Sequence, residues 1–247
     1  WTNMGTSMTA GQAIDNFPVG TTTVTYTIYD RAGNSDFCTV DVTVLDQEDP
    51  VAVCAPFVVS LDANGDAVVL GTDIDGGSTD NCAIDTYEIS RLNPGSGGST
   101  YTTPALQTDF TCADLGSNPV ILTVTDLSGN SGPASSCNTT VTVIDDIDPT
   151  CTAQDITVYL DATGSATITG DDVVTGSDDN CSVVDTMLSQ SVFSCGSGGV
   201  CGTDVVVTVT VTDQSGNTGT CTSTVSIEDT LAPMPTCKTA DILLDNG

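Results

Sequence analysis

The chain has 247 residues and a formal net charge of −30, from 33 acidic side chains against 3 basic ones, with no histidine. That balance excludes nucleic acid as a partner, since phosphate binding needs Lys and Arg, and the lack of histidine excludes His-based proton transfer and His-ligated metals. No apolar run approaches the roughly 18–20 residues of a membrane helix, so no membrane insertion is expected.

Thr, Ser, Gly, Asp and Val dominate, β-branched residues are dense, and strong helix formers are scarce. Alternation of apolar and polar residues runs over 22–29, 121–125, 138–144, 205–212 and 222–227, and no stretch has a helical period. The expectation is an all-β protein. The length allows two whole domains of about 100 residues plus fragments. The chain opens on Trp1 rather than Met, which reads as a window within a longer protein, so the missing signal peptide says nothing of location.

In chain order, residues 1–46 read as the back half of a domain. Phe17-Pro18-Val19-Gly20 is a turn, 21–29 a strand, Asp30-Arg31-Ala32-Gly33-Asn34 a tight turn, and 38–45 a closing strand. Residues 47–145 read as a complete unit. Cys54 lies at its start, and Leu61-Asp62-Ala63-Asn64-Gly65-Asp66 is a hairpin-like turn. The acidic loop 73–82 ends in Asp80-Asn81-Cys82, and 93–99 is a Gly/Ser-rich flexible loop. Phe110-Thr111-Cys112 precedes a strand, then come Asp126-Leu127-Ser128-Gly129-Asn130, Cys137 and a last strand.

Residues 146–229 repeat these landmarks: Cys151, Leu160-Asp161-Ala162-Thr163-Gly164, Asp179-Asn180-Cys181, Phe193-Ser194-Cys195, Asp213-Gln214-Ser215-Gly216-Asn217 and Cys221. Residues 230–247 start a further unit. Between units runs an acidic joint, Asp46-Gln47-Glu48-Asp49-Pro50, then Asp145-Asp146-Ile147-Asp148-Pro149, then Glu228-Asp229-Thr230-Leu231-Ala232-Pro233. The joint prolines are 99 and 84 residues apart, the size of a small β-sandwich.

Gly20-Thr-Thr-Thr-Val-Thr-Tyr-Thr27, the Asp-x-x-Gly-Asn turns, Cys-Thr, and Val-Thr-Val-x-Asp together resemble the hyalin repeat (HYR) family. The variant with Leu-Asp-Ala-x-Gly, Asp-Asn-Cys and Phe-x-Cys resembles repeats of very large surface adhesins of the Bacteroidetes, including gliding-motility adhesins. The resemblance spans essentially the whole chain. It implies tandem immunoglobulin-like β-sandwiches in a linear rod, at the cell surface or otherwise extracellular. The motifs are specific for the module and not for what the full-length protein binds.

Eleven cysteines in so acidic a chain point to an oxidising compartment. Buried free thiols or a zinc site are the alternatives, disfavoured because no C-x-x-C pair is present. In an immunoglobulin-like sandwich the first and last strands can run side by side. The fold implied by the resemblance therefore pairs Cys54 with Cys137 and Cys151 with Cys221, closing loops worth about 4–5 kcal/mol in the simple chain-entropy account. Cys82–Cys112 and Cys181–Cys195 are the remaining expected pairs. Cys38 and Cys237 are expected to have partners outside the sequence. Cys201 is left over, either competing with Cys195 for Cys181 or linking another chain.

The same fold brings the acidic loop, the late turn and the joint to one pole of each domain. Asp46, Asp49, Asp73, Asp80, Asp126 and Asn130 should then converge at one junction, and Asp145, Asp148, Asp172, Asp179, Asp213 and Asn217 at the next. Asp229 belongs to a third, where Ala232 replaces the second joint aspartate. Hard oxygen ligands without His or thiolate favour Ca²⁺ over other metals, by analogy with cadherin joints; the bland alternative is a solvated acidic surface. Sequons stand at Asn138 and Asn180, and Asp-Thr-Met and Asp-Thr-Leu mark Thr186 and Thr230 as candidate O-glycosylation sites.

The function expected is a structural stalk or filament segment of a secreted adhesin. Its partners would be neighbouring repeats of the same long chain, and other copies or cell-surface glycans through regions outside the window. A glycan- or protein-binding module, or a spacer on a secreted enzyme, is the alternative. Aromatics make up only 4 % of the chain, which counts against a sugar platform. Paired carboxylates could imitate a glycosidase, but they sit in repeated turns, so the chain is not expected to be an enzyme.

Overall fold

The structure is a computed structural model and describes residues 2–3, 16–91, 102–195 and 202–238. The expected loop over 93–99, together with Trp1 and Cys201, lies outside the described residues. The chain divides into two compact units. The first is Trp1–Val59, Val68–Phe110 and Gly116–Val143; the second is Ser60–Ala67, Thr111–Leu115 and Ile144–Gly247. These borders do not follow the sequence repeat: the turns 60–67 and 111–115 of one repeat group with the residues of the next.

In the first unit, β1 (Thr2–Asn3), β2 (Gly20–Tyr29) and β3 (Ser35–Val44) form one sheet in that order. β2 and β3 are a hairpin in register from Gly20↔Val44 to Tyr29↔Ser35. Its turn is held by Asp30, whose carboxylate accepts from the N–H groups of Ala32 and Asn34 and from the Asn34 amide. Those bonds, the Asn34 amide first, keep the Asp30 carboxyl below its usual range.

Next come β4 (Phe57–Ser60), β5 (Asp66–Leu70), β6 (Ile84–Arg91), β7 (Gln107–Thr111), β8 (Gly116–Asp126) and β9 (Ser136–Ile144). They make a four-stranded sheet, β4-β9-β8-β6, and a two-stranded one, β5-β7. Strict alternation along β8 turns Val120, Leu122 and Val124 inward, where they are fully buried with Val69, Ile74, Ile89, Phe110 and Val141.

The second unit contains β10 (Thr150–Ala153), β11 (Ile156–Tyr159), β12 (Ser165–Thr167), β13 (Val174–Asp178), β14 (Val183–Leu188), β15 (Val192–Ser194), β16 (Asp204–Asp213) and β17 (Thr218–Glu228). Its sheets are β11-β17-β16-β14, β10-β13 and β12-β15. β11 runs parallel to β17 from Ile156↔Val225 to Tyr159↔Glu228, while β16 lies antiparallel to both β17 and β14. An early strand beside the last, then the penultimate, then a middle strand is an order found in immunoglobulin-like sandwiches. The fold is all-β, as the alternation predicts, and immunoglobulin-like, as the resemblance implies.

Alternate residues of β16 and β17 (Val207, Val209, Val211, Val225, Ile227) meet Leu160, Ile168, Val173 and Phe193 in one core. A four-residue helix, α1 (Gly170–Val173), interrupts the strands without any helical period in the sequence. Its cause is local: the Asp172 carboxylate accepts from the N–H and hydroxyl of Thr169.

Phe193 is only 1 % exposed and is the largest side chain of the second core. Phe193→Ala is expected to cost about 3–5 kcal/mol. Val184→Ala, at a position 59 % exposed on β14, should change stability by less than roughly 0.5 kcal/mol. Urea unfolding of the full chain followed by circular dichroism checks both.

Candidate functional site

Each unit brings an acidic loop, a late turn and a joint aspartate together. In the second unit Asp213 ends β16. Its Oδ1 accepts from the N–H groups of Gly216 (2.6 Å) and Asn217 (2.8 Å), and its Oδ2 from the Asn217 amide (2.7 Å). The other hydrogen of that amide reaches the backbone carbonyl of Asp145 (3.0 Å). Asp179 caps the acidic loop, its Oδ2 accepting from the N–H groups of Cys181 and Ser182, both at 3.0 Å. Asn180 then donates its amide to Asp145 Oδ1 (3.1 Å).

These bonds leave a set of oxygens without partners. Asp145 Oδ2, Asp179 Oδ1 and Asn180 Oδ1 are buried and accept no hydrogen bond. Asp145 is 6 % exposed and Asp213 2 %. One carboxylate oxygen from each of Asp145, Asp179 and Asp213 lies within 4.8 Å of the others. Two carboxylates about 4 Å apart repel by about 4 kcal/mol at an effective dielectric near 20. The hydrogen bonds to them come from neutral N–H and amide groups, which position the charges without cancelling them. Oxygens this close can share one ion at Ca–O distances of about 2.3–2.6 Å.

The first unit repeats the plan. Asp126 is 1 % exposed and accepts from Ser128 and Asn130 N–H and from the Asn130 amide, which also reaches the Asp46 carbonyl (3.2 Å). Asp80 Oδ2 caps Cys82 and Ala83, and Asn81 donates to Asp46 Oδ1 (3.3 Å). Asp80 Oδ1 and Asp46 Oδ2 are buried without an oxygen or nitrogen partner. Here a thiol completes the group: Cys82 Sγ lies within 4.8 Å of carboxylate oxygens of Asp46 and Asp80. Hydrogen bonding between the two, its largest cause, raises the Cys82 thiol above its ordinary range and lowers the Asp46 carboxyl.

The other expected ligands stand elsewhere. Asp73 accepts from the Leu70 N–H and Asp172 from Thr169, each capping a short turn. Asp49 is exposed and packs against Gly132, where a Cβ would overlap its carboxylate. Asp148 is exposed. Asp229 is exposed and caps Leu231. Asn180, absent from the expected ligand set, supplies an orphan oxygen; its position beside Asp179 in the repeated Asp-Asn-Cys was the available signal. Of the candidate glycosylation positions, Asn138, Thr186 and Thr230 are exposed, whereas the Asn180 amide is engaged.

Three disulfides have both halves among the described residues: Cys54–Cys137, Cys151–Cys221 and Cys112–Cys181. The third corrects two expected pairs, Cys82–Cys112 and Cys181–Cys195. Cys112 and Cys181 lie together in the second unit, Cα atoms 5.4 Å apart, and Cys82 is a free, exposed thiol. Cys195 is disulfide-bonded, to a partner outside the described residues. The repeat shows which cysteines are equivalent. It does not show whether a pair closes within one copy or from one copy to the next, because both pairings use the same cysteines per copy.

A family model of the HYR domain matches residues 4–44. A search of the curated proteins returns no match. Among solved structures, the N-terminal four Ig domains of Dscam1 isoform 9.44 align over 83 % of this chain and 54 % of that chain, at 11 % identity and a TM-score of 0.40. The N-terminal eight Ig domains of DSCAM isoform 1.30.30 align over 85 % and 32 %, at 8 % identity and a TM-score of 0.44. The chain thus spans about half or less of the solved chains it matches. The HYR match and the disulfides fit an extracellular, adhesion-type module.

Peptide mapping without reduction should recover Cys112 joined to Cys181. Cys38, Cys82 and Cys237 should be open to alkylation. Cys82 should react more slowly near neutral pH in the unaltered chain than in Asp46→Asn, because hydrogen bonding to Asp46 raises the thiol pKa and leaves less thiolate. Recovery of Cys181 joined to Cys195 would count against the assignment.

Proposed function

We propose that this chain is a segment of a structural stalk or filament of a large secreted cell-surface adhesin, and that Ca²⁺ binds where one repeat ends and the next begins. The observation that carries the cation reading is the buried, hydrogen-bond-free Oδ2 of Asp145, whose carboxylate groups with those of Asp179 and Asp213, an arrangement repeated in outline at Asp46 and Asp80. Burying a carboxylate is tolerated only when it is paired or coordinated. The donor set is oxygen without histidine, which suits a hard cation. Asp145, Asp179, Asp213 and Asn180 would hold it in the second unit.

A bound Ca²⁺ supplies positive charge that the neutral amides cannot. In this reading it stiffens the joint, while the disulfides and each core keep the folded state without it. Neighbouring repeats are the immediate partners, and the surface or glycan bound by the full-length protein is recognised elsewhere. The gliding-adhesin setting follows from the sequence resemblance alone. No residue is assigned a catalytic role.

Calorimetry and thermal unfolding, with calcium and with chelator, test the reading. Extracellular modules bind near 10⁻⁴–10⁻³ M. Calcium at a hundredfold excess over the dissociation constant should stabilise the chain by about 2.7 kcal/mol. Asp145→Asn should weaken binding by roughly tenfold, the equivalent of about 1.4 kcal/mol, and exposed Asp148→Asn should leave it unchanged. Identical unfolding curves in calcium and chelator would overturn the cation reading. Small-angle scattering under the same two conditions reports joint stiffness.

A further inference from the structure

The Cys112–Cys181 bond sits inside a fitted contact within the second unit. One side is Asp179-Asn180-Cys181. The other is the turn Leu61-Asp62-Ala63-Asn64-Gly65 together with Cys112. The Asn180 amide donates to the Asp62 carbonyl (3.2 Å). Cys112 Sγ lies 3.4 Å from the Asn180 carbonyl and 3.7 Å from that of Gly65. Gly65 has a φ of +79°, and a Cβ there would come within 2.6 Å of both the Asn180 carbonyl oxygen and Cys112 Sγ. The turn needs glycine both for its backbone and for the closeness of the contact.

Both sides of this contact recur in the chain. Asp80-Asn81-Cys82 reproduces the first side: Asp80 caps the two following N–H groups as Asp179 does, and Asn81 reaches Asp46 as Asn180 reaches Asp145. Two features differ. Cys82 is free and exposed. The Asn81 amide donates to Glu48 Oε2 (3.0 Å), where Asn180 grips a turn carbonyl. The opposite side recurs as Leu160-Asp161-Ala162-Thr163-Gly164, where a Cβ on Gly164 would meet nothing within 4 Å.

We infer that Asp80-Asn81-Cys82 is an acceptor surface for the Leu-Asp-Ala-x-Gly turn and Phe-x-Cys cysteine of another copy of this repeat, and that Cys82 closes a disulfide with that cysteine. The chemistry is thiol–disulfide exchange with a small-molecule disulfide such as oxidised glutathione. The Cys82 thiolate attacks one glutathione sulfur, and the second glutathione leaves as thiolate. The incoming Phe-x-Cys thiolate then attacks the Cys82 sulfur and expels the first. Two protein thiols are oxidised to one disulfide, one glutathione disulfide is reduced to two thiols, and the protons released by the protein thiols pass to the departing thiolates. Docking of the turn moves the Asn81 amide from Glu48 to the incoming carbonyl, so the thiol is presented to one partner cysteine rather than to any.

The test mixes two full-length chains in glutathione redox buffer. The donor carries Cys82→Ser, Asn180→Ala and Cys181→Ser, which releases its turn and Cys112. The acceptor is the unaltered chain, whose own Cys112 is engaged. Peptide mapping should find Cys82–Cys112 between chains in excess of Cys38–Cys112 and Cys237–Cys112 by roughly tenfold, as docking raises the local thiol concentration. Asn81→Ala in the acceptor, or Gly65→Ala in the donor, should remove the excess. If circular dichroism shows the triple variant unfolded, Cys82→Ser with Cys181→Ser alone serves as donor. Cross-links spread evenly over Cys38, Cys82 and Cys237, or no cross-link from a folded donor, would overturn the inference.

Discussion

The Asp145 carboxylate is almost wholly out of water, and two separate loops are arranged around it. Asn180, 35 residues away, holds its Oδ1; Asn217, 72 residues away, holds its carbonyl. Asp213 orders the turn that carries Asn217, and Asp179 orders the loop that carries Asn180. The joint is thus tied to the end of one hairpin and to the acidic loop before any packing is considered. In the first unit Asp46 is held the same way by Asn81 and Asn130, 35 and 84 residues away.

The choice of asparagine rather than lysine or arginine decides the electrostatics. An ammonium or guanidinium would neutralise the carboxylate and close the site as an ion pair. An amide fixes geometry and leaves the charge standing, with one oxygen still open. That is the arrangement a cation site needs, and a costly one if nothing fills it. Arg91 stacks over Phe110 at 4.7 Å.

Beneath the clusters the two units depend on ordinary means. Valines and threonines alternate on long strands, one aromatic plugs each core, and a disulfide spans from the start of the repeat to its last strand. The parallel pairing of β11 with β17 brings the two ends of that repeat together, and the Cys151–Cys221 bond closes it. The Cys112–Cys181 bond is different in kind. It lies in a loop contact rather than across a sandwich, and its place in the repeat is filled in one copy and open in the other.

The all-β class, the strand positions and the landmarks of each repeat were legible because they are local. Period-two alternation declares a strand, and an Asp-x-x-Gly-Asn run declares a turn whose Asp caps its own N–H groups. From where such turns fall in a sandwich, Asp46, Asp80, Asp126 and Asn130 were expected at one pole and Asp145, Asp179, Asp213 and Asn217 at another; the structure groups carboxylate oxygens of Asp46 and Asp80 with Cys82, and those of Asp145, Asp179 and Asp213 with one another. Asp73 and Asp172 were indistinguishable from these by composition, yet each spends its carboxylate on the short turn beside it. Only the tertiary structure decided that, and only it joined Cys112 to Cys181. A repeat specifies which residues are equivalent, but a contact is made by whichever surfaces meet in space, and that depends on side-chain fit at Gly65 and Asn180 rather than on spacing along the chain.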